Sequence, residues 1–131
     1  MADMNFSFSI NVGGQVRTYR KVATADDPVN VNVGPIAIAN GQTDKLHSIG
    51  GIDISQLKGV FIASNRDVLI EFNSNAGSGG SISLEANVPY TWLVGDVHTL
   101  LITADVTAVY ITNASGEAAE VFMYFLQDAT A

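Results

Sequence analysis

Short apolar stretches separated by turn-forming residues recur along the whole chain, and they limit what it can fold into. Such stretches return at short, fairly regular intervals, a pattern typical of a β-sandwich or barrel. The clearest one lies near the N-terminus, where polar residues alternate with Phe6, Phe8, Ile10 and Val12. This period of two puts all four apolar side chains on one face of a β-strand. The sequence therefore predicts an all-β, single-domain, antiparallel β-sandwich.

Length and composition agree with this fold class. A chain of 131 residues fits one domain of common size, which can bury roughly two-thirds of its unfolded surface. Charged residues make up 15% of the chain, compared with about 25% in a typical domain, so neutral polar side chains must cover most of the surface. The chain contains no cysteine, which leaves packing or assembly to stabilise it.

The charge balance bears on the class of partner. Thirteen acidic and six basic residues give a net charge of −7, which repels phosphate backbones and anionic lipid, so we expect neither nucleic acid nor a membrane as partner. No apolar stretch approaches the ~20 residues of a membrane span, and the N-terminus lacks a signal-peptide pattern. Three basic residues, Arg17, Arg20 and Lys21, lie close together; we interpret them as the charges of an exposed edge strand rather than a patch for an acidic partner.

Turn residues between apolar stretches predict three hairpins. Gly13-Gly14 follows the first strand, Asn65-Arg66 separates residues 60–64 from 67–73, and Asn113 to Gly116 separates residues 106–112 from 120–127. Each turn contains residues that reverse the chain at low cost. The pair spanning residues 104–127 is the strongest local signal. Residues 118–126 also fit a helical stripe, although their aromatic content favours a strand.

Two further segments have local predictions. Residues 29–33 alternate valine with asparagine until Gly34-Pro35, which is expected to end that strand. Residues 40–51 have turn residues at both ends and little apolar content, so we expect an exposed excursion there.

The usual signatures of catalysis and metal binding are missing from the sequence. His47 and His98 lack partners at a metalloprotease spacing, and no dense Asp/Asn loop suited to calcium is present. Glu71 and Glu85 could face each other as a glycosidase pair does, but both alternate outward from apolar neighbours and are better interpreted as solvated. The glycines of residues 77–80 lack the lysine of a phosphate-binding loop. We predict a non-enzymatic protein with no catalytic residue, metal or cofactor.

Tyr90 and Trp92 are spaced to share one face of a strand. They could anchor the core, which we favour, or form an exposed platform that stacks on a sugar ring or a protein partner. The second interpretation leaves a carbohydrate-binding module as an alternative function.

Residues 59–128 contain a recognisable series of strand and turn sequences. The series comprises "SISLE" at 81–85 leading through Pro89 to Trp92, "TADVT" at 103–107, "YITN" at 110–113, and an apolar last strand ending at Asp128. It resembles the small β-sandwich proteins of tailed bacteriophages known as head decoration or cement proteins. Similar sequences also occur in phage tail and fibre-associated structural proteins, which are a further alternative.

The resemblance implies a jelly-roll-like sandwich that binds the outer capsid surface and reinforces the shell without catalysis. It implies the major capsid protein and further copies of the chain as partners, usually as a trimer, and a location on the virion after synthesis in the host cytoplasm. We expect residues 1–9 to be an N-terminal arm leading into a sandwich formed by residues 10–131. The candidate contact residues are Met4, Phe6 and Phe8 of this arm, with Tyr90 and Trp92.

Overall fold

The computed structural model describes residues 2–130, so Met1 and Ala131 of the two predicted ranges lie outside it. These residues form ten strands and one short 3-10 helix, Ile54–Gln56. None of their helices is long and apolar enough to cross a bilayer. The strands are β1 (Ala2–Val12), β2 (Gln15–Ala25), β3 (Pro28–Ile38), β4 (Lys45–Ile52), β5 (Leu57–Ser64), β6 (Val68–Phe72), β7 (Ser81–Leu84), β8 (Tyr90–Leu93), β9 (Val106–Thr112) and β10 (Ala119–Asp128).

Eight of these strands form two four-stranded sheets that pack face to face. One sheet has the order β3-β10-β5-β8 and the other β4-β9-β6-β7, and every pairing within them is antiparallel. The predicted all-β, antiparallel sandwich is therefore confirmed. We call residues 26–130 the sandwich body.

Alternation along each strand builds the core between the two sheets. On β10, Val121, Met123 and Phe125 are at most 1% exposed, and they belong to one cluster with Ile70 of β6 and Ile111 of β9. Because successive side chains of a strand point to opposite faces, the intervening residues of β10 face outward. Fully burying an apolar side chain of this size contributes about 1.5–3 kcal/mol, so these central strands hold the sandwich together.

Two of the three predicted hairpins are wrong. The strands flanking Asn65-Arg66, β5 and β6, lie in different sheets, and so do β9 and β10, which flank Asn113 to Gly116. Turn residues report that the chain reverses but not whether the next strand joins the same sheet or crosses to the other. Asn113 lies in such a crossing connection. It is fully buried, and its amide donates hydrogen bonds to the carbonyl oxygens of Ile38 and Glu117.

The strand assignment of residues 118–126 is confirmed, and the helical alternative is wrong. β10 is a central strand that pairs with β3 on one side and β5 on the other. Hydrogen bonding on both edges holds it extended, and this partnership between distant segments overrides a local helical pattern.

Gly34-Pro35 does not end its strand, contrary to the prediction. β3 continues to Ile38, and its register against β10 shifts between Val121 and Met123. Gly34 has a φ of +128°, and a Cβ there would lie 2.8 Å from the carbonyl oxygen of Val121. An irregularity of this kind accommodates proline at the edge of a sheet.

Residues 40–51 are only in part the exposed excursion that we expected. β4 begins at Lys45 and pairs with β9. Since β4 is an edge strand of its sheet, it needs fewer apolar residues than a central strand, which is why its sequence resembles a loop.

The third predicted hairpin, at Gly13-Gly14, is confirmed. β1 and β2 pair along all 11 residues, from Ala2 opposite Ala25 to Val12 opposite Gln15. Both turn glycines have positive φ, 59° and 83°, as a two-residue hairpin turn requires.

This N-terminal hairpin, residues 2–25, forms a separate two-stranded sheet. The boundary that we predicted between an arm of residues 1–9 and a sandwich of residues 10–131 therefore falls inside β1.

Candidate interaction surface

One face of the N-terminal hairpin is apolar along most of its length. Residues directly opposite each other in an antiparallel pair share a face, so the register assigns side chains of both strands to it. From the base to the tip the pairs are Met4 with Ala23, Phe6 with Lys21, Phe8 with Tyr19, Ile10 with Arg17, and Val12 with Gln15.

The base of this face packs on the outer surface of the sheet that contains β5 and β10. The ring of Phe6 stacks on Phe61, with centroids 6.1 Å apart, and Phe61 stacks on Tyr124 at 5.8 Å. Met4 lies over Gly59, where a Cβ would come within 2.6 Å of its sulfur. The lack of a side chain at Gly59 therefore makes room for Met4, and both Met4 and Phe6 are half-buried.

A second set of contacts holds β2 at the same end. Ala23 and Ala25 of β2 are buried, and β2 contacts β5, β8 and β10. Lys21 Nζ donates a hydrogen bond to Asp96 Oδ2 at 3.0 Å. This hydrogen bond is the main reason why the pKa of Asp96 is lowered. The base of the hairpin is thus fixed by packing and by one ion pair.

The distal half of the hairpin, residues 8–19, carries the apolar face away from these contacts. Ile10 is 52% exposed and Val12 is 70% exposed, and both Phe8 and Tyr19 are exposed as well. An isolated two-stranded hairpin is at best marginally stable in water. Contiguous exposed apolar faces are typical of interaction sites, which makes this face the candidate one.

Charge is divided unevenly between the hairpin and the sandwich body. The hairpin contains three basic residues, Arg17, Arg20 and Lys21, and one acidic residue, Asp3, for a net charge of +2. The other three basic and twelve acidic residues give the rest of the chain a net charge of −9. Arg17 lies on the apolar face, and it forms no ion pair with any residue in the described part of the chain. The hairpin is therefore a basic, apolar extension of an acidic body.

Tyr90 and Trp92 lie elsewhere, on β8. They are opposite Ile62 and Val60 and are partly buried against the core. The hydroxyl of Tyr90 accepts a hydrogen bond from the backbone N–H of Leu101 at 3.1 Å, and burial raises the pKa of Tyr90. The structure therefore does not bring these two residues together with Met4, Phe6 and Phe8.

Sequence reasoning missed the contribution of β2 to the surface. Arg17 was interpreted only as a charge of an exposed edge strand, yet it shares a face with Ile10, and Tyr19 shares that face with Phe8. The Gly13-Gly14 turn contains the information needed to place these side chains. Counting outward from a two-residue turn pairs Val12 with Gln15, and every further pair follows from that register.

The titratable residues considered for catalysis remain separate. Glu71 lies opposite Tyr110 and Ser81, whereas Glu85 follows the end of β7. The pKa of Glu71 is raised by partial burial and then by the nearby charge of Asp44. The pKa of His47 is lowered, mainly by burial. Within residues 2–130, no three His, Cys, Asp or Glu side chains are grouped so that they could hold a metal ion.

The fold and this surface define the class as an antiparallel β-sandwich domain with a projecting N-terminal hairpin. Comparisons with protein-family models, with curated proteins and with solved structures found no match to the chain.

Proposed function

We propose that this protein is a non-enzymatic structural component of a tailed-phage particle, which binds the outer capsid surface as a homo-oligomer and reinforces the shell. The observation that carries the proposal is the projecting hairpin. Its apolar face includes Phe6 at the base and leaves Ile10 and Val12 exposed towards the tip. A firmly anchored extension with an unburied apolar end is suited to reach a neighbouring subunit in an assembly. The resemblance of residues 59–128 to head decoration proteins supplies the kind of assembly.

The connectivity of the sandwich body supports the jelly-roll-like form that this function expects. If the strands of the sandwich body, β3 to β10, are renumbered from one to eight, the two sheets have the orders 1-8-3-6 and 2-7-4-5. Every connection passes from one sheet to the other except the one between the fourth and fifth of these strands, β6 and β7. Double-sheet, eight-stranded folds of this type are used in viral capsid domains.

The surface composition also supports a structural role. With 15% charged residues, the chain can pack against a repeated protein surface without desolvating many ions. Attachment of an oligomer at several equivalent positions adds weak contacts together, so tight binding needs no deep pocket.

Head binding is the direct test. Purified protein is mixed with procapsids and with mature heads of the source virus that lack it, and the mixture is sedimented. We expect the protein to pellet with heads at a fixed ratio to the capsid subunit. Binding to isolated tails instead of heads would transfer the role to a tail component, and binding to neither would overturn the proposal.

The packing of Tyr90 and Trp92 supports this function over a carbohydrate-binding module, because both side chains contact the core. Trp92 is the only tryptophan, so its fluorescence reports on this position alone. We expect a blue-shifted emission that glycans leave unchanged. An emission maximum that a glycan displaces would favour the carbohydrate-binding alternative.

A further inference from the structure

The apolar face of the distal half of the hairpin is not buried by its own sandwich body. Phe6 is fixed on Phe61 at the base, and from there the apolar face continues to Phe8, Ile10 and Val12 with increasing exposure. The exposed part is therefore a direct continuation of a contact that already joins the hairpin to a β-sheet. A surface of similar character on another molecule would extend that contact.

The sandwich body carries such a surface on the side opposite its own hairpin. On the outer face of the sheet β4-β9-β6-β7, Leu46, Tyr110 and Glu71 lie in one row across three strands. Leu46 is 51% exposed, and Leu69, two residues from Glu71 on β6, is exposed as well. We call these four residues, together with Asp44, the acceptor face.

The acceptor face carries negative charge, which complements the positive charge of the hairpin. Asp44 is tied to Thr112, whose hydroxyl accepts from the Asp44 N–H at 3.0 Å, and Thr112 is opposite Leu69. The carboxylates of Asp44 and Glu71 are close enough for Asp44 to raise the pKa of Glu71. A guanidinium placed between two such carboxylates removes their repulsion and can bind both. Arg17, on the apolar face of the hairpin between Tyr19 and Gln15, is such a group.

We propose that the distal half of the N-terminal hairpin of one copy docks on the acceptor face of a second copy of this chain. Ile10 and Val12 then cover Leu46 and Leu69, and Arg17 meets Asp44 and Glu71. The +2 hairpin and the −9 body make another copy the complementary partner, because opposite charges favour and orient the encounter.

The contact joins two different surfaces, so it is heterologous. Such contacts close into rings when the rotation between copies permits and otherwise propagate as filaments. A closed ring of three copies is the form that the proposed function expects. The inference rests only on the self-association included in that function, and no capsid is needed to test it.

The first experiment measures association of the full chain by sedimentation velocity over a concentration series. We expect the wild-type protein to associate reversibly, and the hairpin variant Ile10→Asp/Val12→Asp to associate at least ~30-fold more weakly, as for central interface residues. The matched control is Val16→Asp, because Val16 is 61% exposed on the opposite face of the same hairpin. This control should associate as the wild type does.

The second experiment tests the pairing of the two surfaces. The acceptor variant Leu46→Asp/Leu69→Asp should associate with itself as weakly as the hairpin variant does, but it keeps an intact hairpin, whereas the hairpin variant keeps an intact acceptor face. A 1:1 mixture of the two should therefore form heterodimers. Charge exchange adds a residue-level test: Arg17→Glu and Glu71→Lys should each weaken association about tenfold, and the two substitutions in one chain should restore it.

Several results would overturn the inference: a wild-type chain that stays monomeric at all concentrations, variants that associate as the wild type does, or a mixture that remains monomeric. Far-ultraviolet circular dichroism of each variant checks that it is folded. Head binding is measured separately, so association without head binding would overturn the capsid role alone. Head binding by a strictly monomeric chain would overturn this inference, together with the self-association in the proposed function, but not the capsid role.

Discussion

Phe6 of the N-terminal hairpin stacks on Phe61 of β5, with ring centroids 6.1 Å apart and planes inclined by 30°. Phe61 in turn stacks on Tyr124 of β10, so three aromatic rings connect the hairpin to a central strand of the sandwich. Only the first half of β1 takes part in this attachment. The hairpin is consequently packed on the body at its base and exposed along the residues that we assign to a partner.

Replacing Phe6 with alanine should loosen the hairpin without unfolding the sandwich body. The substitution removes one ring of a half-buried stack, which we expect to cost about 1–2 kcal/mol. Hydrogen exchange measured residue by residue should show faster exchange in β1 and β2, while β5 and β10 keep their protection. The more exposed Phe8 on the same face is the control, and Phe8→Ala should change stability by less than about 0.5 kcal/mol. Equal effects of the two substitutions would contradict the anchoring role of Phe6.

Asn113 should be among the most sensitive polar positions. Its side chain is fully buried, with Nδ2 donating to the carbonyl oxygens of Ile38 and Glu117 at 3.1 and 2.7 Å. Its Oδ1 accepts from the N–H and the hydroxyl of Ser115. Asn113→Ala leaves these groups without partners, and we expect a loss of about 2–4 kcal/mol in urea unfolding.

The control for Asn113 is Ser115→Ala, which removes one hydroxyl and leaves both donations of the Asn113 amide in place. This variant should lose about 1 kcal/mol or less. If Asn113→Ala is no more destabilising than Ser115→Ala, the buried amide does not join the β9–β10 connection to the end of β3.

The fold class and one complete hairpin were predictable from the sequence, because they depend on local pattern. Alternation from Phe6 to Val12 and the Gly13-Gly14 turn together determine a strand pair and its register. Partners within the sandwich were not predictable, since β3 and β10 stand at opposite ends of the body in sequence. Nothing in either segment specifies the other, apart from the need of each to bury one face.

The candidate surface was predictable in part for the same reason. Alternation assigned Phe6 and Phe8 to one face, but it could not show that Phe6 would stack on Phe61 or that Met4 would lie over Gly59. An i, i+2 spacing also could not decide between a core and an exposed position for Trp92. That outcome depends on Val60, the residue opposite Trp92 in a strand distant in sequence.

Two glycines with positive φ should differ sharply in their tolerance of alanine. Gly80 has a φ of +102°, and a Cβ there would overlap the carbonyl oxygen of Leu101. Gly95 has a φ of +84°, but a Cβ there would meet no atom within 4 Å. We expect Gly95→Ala to cost about 1 kcal/mol for the backbone conformation alone. Gly80→Ala should cost about 3 kcal/mol or more, because the backbone must also move. Thermal unfolding of both variants measures the difference, and similar losses would mean that the Gly80 loop can rearrange freely.

Asp128 should make stability depend on pH in the acid range. Its carboxylate accepts hydrogen bonds from the hydroxyl and N–H of Thr130 at 2.7 and 3.0 Å, and from the N–H groups of Asp26 and Asp27 at 3.3 Å. These bonds, those of Thr130 foremost, lower the pKa of Asp128 to about 2. Since an unfolded aspartate titrates near pH 3.9, the stabilisation is complete above about pH 4.

As the pH falls through about 2, the folded protein also binds this proton and the stabilisation is lost. Asp128→Asn abolishes the titration, so the difference in unfolding free energy between wild type and variant should shrink steadily from pH 4 to pH 2. Urea unfolding at half-unit pH intervals measures that difference. Glu120→Gln, at an exposed position of the same strand, is the matched control for removal of one charge. A wild-type advantage over Asp128→Asn that stays constant down to pH 2 would show that the carboxylate does not link the end of β10 to the β2–β3 connection through its charge.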